Sequence, residues 1–332
     1  MKVSVIGVGA FGFSLLHHLD KKNVVDCELW AFDAYEELMT HLKKERTHLF
    51  FHKGFKLSDK VIFASSLEEA VKDADIIILA LTSDMIRQAL RDMKPFLKKK
   101  VIVLNVAKAL ETTTGKPISS IFREETPNVT YAILAGGTIA SDLMKNEPLG
   151  ADIACKKDSA LKKLKDLMEA PNLHIYLTSD VKGVEYASSF KNVISILAGI
   201  IHGLDMSYGS ETYFITRASG EVKNLVTRKL GAKDKTFSME SQCWGNDLWM
   251  SSTGGTRNRA FGIEIGKGSS PEKALKKMRD LKYSIEGLNT INALSTLIRE
   301  PEKYPVLFAM IQIVIQGENP RSIILGLMNK NF

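Results

Sequence analysis

The 332-residue chain is poor in cysteine and in aromatic residues, and it has no long uninterrupted apolar run. Its three cysteines, Cys27, Cys155 and Cys243, are scattered and odd in number, without the spacing of a disulfide framework, a zinc site or a redox dithiol. A reducing, cytoplasmic home with no bound metal is the expectation. No apolar run approaches a membrane span. The opening "MKVSVIGVGAFG" lacks a basic segment followed by a long apolar core and a cleavage site, so it does not read as a signal peptide. Aromatics are 8% of the chain, and the densest basic patches, "LKKK" and "KKDSALKKLK", have none interleaved. That argues against a nucleic-acid groove. The net charge of +7 is spread thinly and suits the attraction of a small anionic substrate. Repeats and low-complexity linkers are missing as well.

What is present is an ordinary globular composition, 45% hydrophobic and 25% charged, at a length sufficient for two cores. The first part alternates short β-branched runs with amphipathic segments. "KVSVIG", "DCELWAF", "KVIFA", "DIIILAL", "KVIVLNV" and "TYAILAG" read as strands, most of them continuous apolar runs suited to a parallel sheet buried on both faces. "GADIAC" and "LHIYLT" read as two later strands of the same domain. Beyond about residue 180 the strands stop, and helical patterns follow near 183–204, 210–230, 271–281, 287–299, 303–317 and 320–329. Pro271, Pro305 and Pro320 lie near the starts of three of them, where a missing N–H is harmless. The predicted fold is α/β: a Rossmann-type doubly wound sheet over 1–180 that binds a dinucleotide, then an all-helical substrate and catalytic domain over 181–332.

"VIGVGAFG" sets Gly7, Gly9 and Gly12 in a G-x-G-x-x-G pattern between the first strand and a helix. Gly7 would allow the tight turn, Gly9 the approach of a pyrophosphate, and Gly12 the packing of helix on strand, with free helix N–H groups offered to the phosphates. Asp33 closes the second strand, where a carboxylate holds the adenine ribose and repels a ribose phosphate. Its plain alternative is a helix N-cap, and the two roles can coexist. NADH is therefore the expected cofactor, with NADP still open. His48 and His52 in "HLFFH" have the helical spacing of a metal pair, but no metalloprotease carboxylate accompanies them. A structural or loop role is expected.

In "GVEYASSFKNVISILAGIIHGL", residues 183–204, the apolar face is interrupted by a stripe of Ser188, Lys191, Asn192 and Ser195. A solvated lysine beside a core face is the plain alternative. Read with "NVAKALE", "NDLWMSSTGGTRNRAFG" and "IEGLNT", however, the chain resembles the NAD-dependent glycerol-3-phosphate dehydrogenases over nearly its whole length. The resemblance implies reversible, NAD(P)H-dependent reduction of dihydroxyacetone phosphate to sn-glycerol 3-phosphate, supplying phospholipid synthesis. It implies catalytic roles for Lys191, Lys108 and Asp247, and substrate contacts from Asn192, Ser251, Arg257 and Asn258. It places Gly7, Gly9, Ala10, Phe11, Gly12, Phe32, Asp33, Lys108, Ala140, Arg257 and Glu286 at the cofactor. The partner is a small phosphorylated triose, neither nucleic acid nor membrane, and the resemblance allows a homodimer.

The chemistry of those residue types agrees. A carbonyl reduced by hydride needs a proton donor at its oxygen, and a lysine ammonium can donate while polarising the carbonyl. A neighbouring cation such as Lys108 eases release of that proton. Asp247 would hold Lys191 and offset some positive charge, and Arg257 suits bidentate phosphate binding. Each has a plain alternative: Lys108 solvated at a strand end, Asp247 capping a short helix, Arg257 and Arg259 as charges in a Gly-rich loop. Thr138, Phe11 and Thr82 depart from the residues usual in the family at their positions. Two other functions stay open, a related hydroxy-acid reductase and a non-catalytic NAD sensor.

Overall fold

The structure is a computed structural model and describes residues 1–281 and 283–328. The expected last helix reached residue 329, which lies outside the described residues. By backbone contacts the chain forms two units. The first holds 1–107 and 118–181, and the second holds 108–117 and 182–332. Residues 108–117 fall inside the stretch read as the first domain but cluster with the second.

The first unit is built on one eight-stranded sheet: β1 (Lys2–Ile6), β2 (Glu28–Phe32), β3 (Ile62–Phe63), β4 (Ile76–Leu79), β5 (Ile102–Asn105), β6 (Thr130–Ala135), β7 (Leu149–Cys155) and β8 (Leu173–Thr178). The order across the sheet is β3-β2-β1-β4-β5-β6-β7-β8, a Rossmann-like arrangement. Every neighbouring pair is parallel except β6 and β7. The exception has a simple cause, because a parallel return needs a helix long enough to run back along the strand. The connector here carries only the five-residue helix Ala140–Met144.

Alternation along the strands feeds two cores. Val3, Val5, Ile76, Ile78, Ile102 and Leu104 pack on one face against α1 (Ala10–Lys22), α2 (Glu36–Glu45) and residues of Asp158–Met168. Ile77, Leu79, Val101 and Val103 pack on the other against α3 (Leu67–Val71), α4 (Ile86–Met93) and α5 (Ile118–Glu125). The one-turn helix Ala140–Met144 is α6 and packs on α1, and Asp158–Met168 is α7.

The second unit is helical. Its axis is α8 (Val181–Gly203), in which every residue from 183 to 201 is buried. By length and composition α8 could cross a membrane, which the reading of apolar runs had passed over. Its whole apolar window is buried inside the protein, so it is a core helix. Around it lie α9 (Tyr208–Lys229), α10 (Asp247–Thr253), α11 (Arg257–Gly266), α12 (Pro271–Asp280), α13 (Glu286–Leu297), α14 (Pro305–Val314) and α15 (Pro320–Met328). Helix α11 is not among the helical patterns expected from sequence, where a Gly-rich loop was the plain alternative for Arg257 and Arg259. It is set against α8 through glycines on both sides. A Cβ on Gly199 would lie 2.1 Å from the Arg259 carbonyl oxygen, and one on Gly262 would lie 2.1 Å from that of Ile196. Gly203 and Gly266 meet in the same way one turn along.

Candidate active site

The polar stripe of α8 is buried within the second unit, with Lys191 only 6% exposed and Asn192 3%. The Lys191 ammonium donates to Asp247 Oδ1 at 2.8 Å and to Ser251 Oγ at 2.9 Å. Asp247 Oδ2 accepts from Lys108 Nζ at 3.3 Å, so one fully buried carboxylate lies between two ammonium groups. Asp247 and Ser251 share a face because they stand four residues apart on α10. The chain enters α10 through a π-helical turn, Gln242–Asn246. Gly245 is required there, since a Cβ would lie 2.2 Å from the Met239 carbonyl oxygen.

A second set of bonds ties the neighbouring segments. Asn192 Nδ2 donates to the Lys108 carbonyl at 3.3 Å, and Asn192 Oδ1 accepts from Asn258 Nδ2 at 3.0 Å. Asn258 Oδ1 in turn accepts from the Gly287 N–H at 3.1 Å, beside Glu286 at the start of α13. Ser195 donates to the Ser251 carbonyl at 2.6 Å. Five separate stretches of chain therefore meet around Lys191. Burial lowers the pKa of the Lys108 ammonium below the ordinary lysine value. Asp247 opposes that shift, and the charge of Lys191 adds to it. Glu286 lies close enough to act on Lys108 in the same sense as Asp247.

Arg257 stands apart from this network. It is the first residue of α11, exposed, and among the described residues it has no ion-pair partner. Thr256 caps that helix by accepting from the Arg259 N–H, while Arg259 is engaged by Glu211 at 2.8 Å. The bond network therefore joins Lys108, Lys191, Asn192, Asp247, Ser251 and Asn258, and Arg257 adjoins it through the backbone alone.

The glycine loop lies in the first unit. Gly7 has φ +89°, and a Cβ there would lie 2.6 Å from the Ala80 carbonyl oxygen. A Cβ on Gly12 would lie 2.0 Å from that of Gly7. The fold itself demands these two glycines. Gly9 is different: a Cβ there would meet nothing within 4 Å. The space over Gly9 is therefore open to a group from outside, such as a pyrophosphate. Gly9 caps α1 with no side-chain hydrogen bond, and the first turn of α1 has no acidic residue. Among the described residues the N–H groups of Gly9, Ala10, Phe11 and Gly12 have no acceptor, as expected for an open helix start. These residues fit an anionic dinucleotide.

Asp33 fixes the loop from below. Its Oδ2 accepts the Val8 N–H at 2.7 Å and its Oδ1 the Tyr35 N–H at 2.9 Å. Each oxygen retains a second lone pair for a ribose hydroxyl. Asp33 thus fixes the turn before α2 without capping that helix, whose N-cap is Tyr35, and both of its oxygens can also meet a ligand. Phe32 ends β2 and accepts the Gly7 N–H at 2.9 Å, Phe11 is half-buried on α1, and Ala140 opens α6. His48 and His52 bind loop carbonyls rather than any metal-like arrangement, at 2.8 Å to Val8 and 2.9 Å to Ala10. Sequence reasoning missed this link. The signal was present in two histidines spaced to face one neighbouring segment.

Comparison with known proteins agrees with both halves. Residues 2–161 match the NAD-dependent glycerol-3-phosphate dehydrogenase N-terminus, and residues 180–325 match its C-terminus. A glycerol-3-phosphate dehydrogenase [NAD(P)+] of Carboxydothermus hydrogenoformans is 30% identical over 333 residues, covering 99% of this chain and 97% of the relative. The fold is shared with the Plasmodium falciparum glycerol-3-phosphate dehydrogenase structure, at TM-score 0.90, 18% identity and 100% and 96% coverage of the two chains. It is shared too with the Coxiella burnetii enzyme, at TM-score 0.86, 22% identity and 99% coverage of each. With both of its halves matched, the chain belongs to the NAD-dependent glycerol-3-phosphate dehydrogenase family.

Proposed function

We propose that this chain reduces dihydroxyacetone phosphate to sn-glycerol 3-phosphate with NADH, and runs the reverse reaction when the substrates favour it. The observation that carries the reading is the buried Asp247 carboxylate shared by Lys191 and Lys108. Bound NADH supplies a hydride to the carbonyl carbon. Lys191 donates the proton that the developing alkoxide needs, and Asp247 and Ser251 hold its ammonium in place. Lys108 adds a second positive charge where negative charge develops. Asn192 and Asn258, each bonded to the other, orient the substrate hydroxyl and phosphate. Arg257, exposed and without an ion-pair partner among the described residues, is suited to take the phosphate bidentately. A non-catalytic NAD sensor has no use for two lysines gathered on one carboxylate.

NADH is the preferred cofactor in this reading. Asp33, Glu36 and Glu37 gather after β2, and no lysine or arginine occurs from 31 to 42 to meet a ribose phosphate. The three free cysteines are consistent with a reducing cytoplasm. The homodimer that the family resemblance allows is read by sedimentation of the purified chain. The deciding experiment follows NADH and NADPH oxidation with dihydroxyacetone phosphate and with unphosphorylated dihydroxyacetone. Turnover is expected with NADH and the phosphorylated ketone, with Arg257→Ala raising the KM for that ketone and sparing the other. Equal rates with both ketones would refute the phosphate assignment, and equal use of both cofactors would refute the role of Asp33.

A further inference from the structure

The "HLFFH" segment is left unused by the reaction, yet its two histidines grip the glycine loop. His48 Nε2 lies 2.8 Å from the Val8 carbonyl oxygen, and His52 Nε2 lies 2.9 Å from that of Ala10. A carbonyl can only accept, so both Nε2 atoms carry the proton in these bonds. For His48 the rest of the ring is accounted for. Its Nδ1 accepts the N–H groups of Phe50 at 3.0 Å and Phe51 at 3.1 Å. His48 is therefore the neutral imidazole, with its tautomer fixed by three partners. Phe13 of α1 packs edge-on to His48 and stacks with His52, which holds both rings against the loop.

The direction of the grip matters. In a trans peptide the C=O and the following N–H point in opposite senses. Holding the Val8 carbonyl turns the Gly9 N–H away from His48, and holding the Ala10 carbonyl turns the Phe11 N–H away from His52. Those two amides belong to the open start of α1, beside the space over Gly9. We infer that His48 and His52 are positioning residues for the dinucleotide: through their Nε2–H bonds they aim the Gly9 and Phe11 N–H groups at the pyrophosphate, and protonation of His48 releases that aim. The inference rests on the pyrophosphate lying on the glycine loop.

A proton added to His48 must go to Nδ1, where it would face two N–H donors and undo the turn at 50–51. Burial keeps the His48 pKa below the ordinary histidine value. The bond to Val8 opposes that shift, as does the carboxylate of Asp33, while His52 and His41 of α2 add to it. Affinity for the dinucleotide is accordingly level through neutral pH and falls only in acid.

The test is calorimetric titration with ADP-ribose, which carries the pyrophosphate without the nicotinamide, from about pH 8 to about pH 5. His48→Leu removes the donor and should weaken ADP-ribose about five- to tenfold at the alkaline end, the worth of one or two ordinary hydrogen bonds. His48→Gln puts an amide N–H near the ring Nε2 position and should recover most of that loss. The double variant His48→Gln with His52→Gln should bind equally at both ends of the pH range, where the unmodified chain loses affinity in acid. Gly9→Val fills the cradle and should abolish binding throughout. If Gly9→Val binds normally, the pyrophosphate assignment fails and this inference with it. If Gly9→Val abolishes binding while His48→Leu binds like the unmodified chain, only the histidine role is refuted. A loss of melting temperature in His48→Leu with affinity unchanged refutes it equally. Should His48→Leu not fold, identical pH profiles in the unmodified chain and the double glutamine variant give the same refutation.

Discussion

At the scale of single residues, Asp247 is the carboxylate on which two cations depend. It is fully buried, and removing a buried partner leaves an uncompensated charge rather than a mere gap. Lys191 spends two of its three donors on Asp247 and Ser251, which leaves one for a substrate oxygen. Lys191→Ala should therefore keep ADP-ribose affinity and lower kcat about 10²–10⁴-fold, the usual worth of a general acid. Lys191→Arg should not restore the rate, since a guanidinium holds its proton too tightly to give it up. Steady-state kinetics beside a binding titration checks both, and an unchanged kcat in the alanine variant would return Lys191 to a structural role. The meeting of Lys191, Lys108 and Asp247 was legible because ketone reduction asks for a proton donor and a counter-charge, whereas Arg257 stands outside their bonds. The bonds from Asn192 to the Lys108 carbonyl and from Asn258 to Gly287 were not legible. They depend on which backbone atoms the fold brings within 3.3 Å.

At the scale of elements, the strands read from β-branched runs all formed, since a continuous apolar run bounded by turns has few other ways to be buried. The reversal of β7 was not legible, because strand direction is set by the connector and not by the strand. Helix α11 was hidden for a different reason. Its glycines looked like breakers, but Gly262 and Gly266 serve close approach to Gly199 and Gly203. At such a crossing a methyl group meets backbone, which cannot rotate aside. Gly262→Ala should cost about 1–3 kcal/mol by overpacking. Because Asn258 and Arg257 sit on the first turn of α11, the same variant should raise the KM for dihydroxyacetone phosphate without weakening ADP-ribose. Thermal melting with kinetics decides, and a variant as stable as the parent would refute the contact.

At the scale of the whole molecule, one buried acid links stability to pH. Glu221 of α9 accepts the N–H groups of Val306 at 3.0 Å and Leu307 at 2.9 Å, capping α14. Burial nevertheless pushes its pKa from 4.5 up to about 7, against those bonds and the nearby Arg217. Between these values the folded chain holds a proton that the unfolded chain has released. This group's contribution is thus most favourable below pH 4.5 and declines as the pH rises to about 7. The span corresponds to a cost on the order of 3 kcal/mol once the carboxylate is charged. Relative to Glu221→Gln, the unmodified chain should lose stability between about pH 5 and about pH 8 in urea unfolding. Parallel profiles for the two proteins would refute the shift. No sequence pattern announced this acid, since a glutamate on a helix reads as solvated until its neighbours are known.

The grouping of residues 108–117 with the helical unit has a consequence for how the chain comes into being. This segment closes on itself through Glu111, Gly115 and Lys116, and it meets α13 through Thr112 with Asn289 and Gly115 with Ala293. A ribosome makes chain from the N-terminus at a steady pace. Everything the sheet needs is finished by residue 181, while Asp247 comes 66 residues later and the α13 partners Asn289 and Ala293 more than a hundred. During that interval Lys108 is a made but homeless side chain, waiting on Asp247 and α13. Competence thus arrives late in the life of the nascent chain. A fragment ending at 181 would carry the glycine loop and its histidines, and Lys108 without the carboxylate that pairs it.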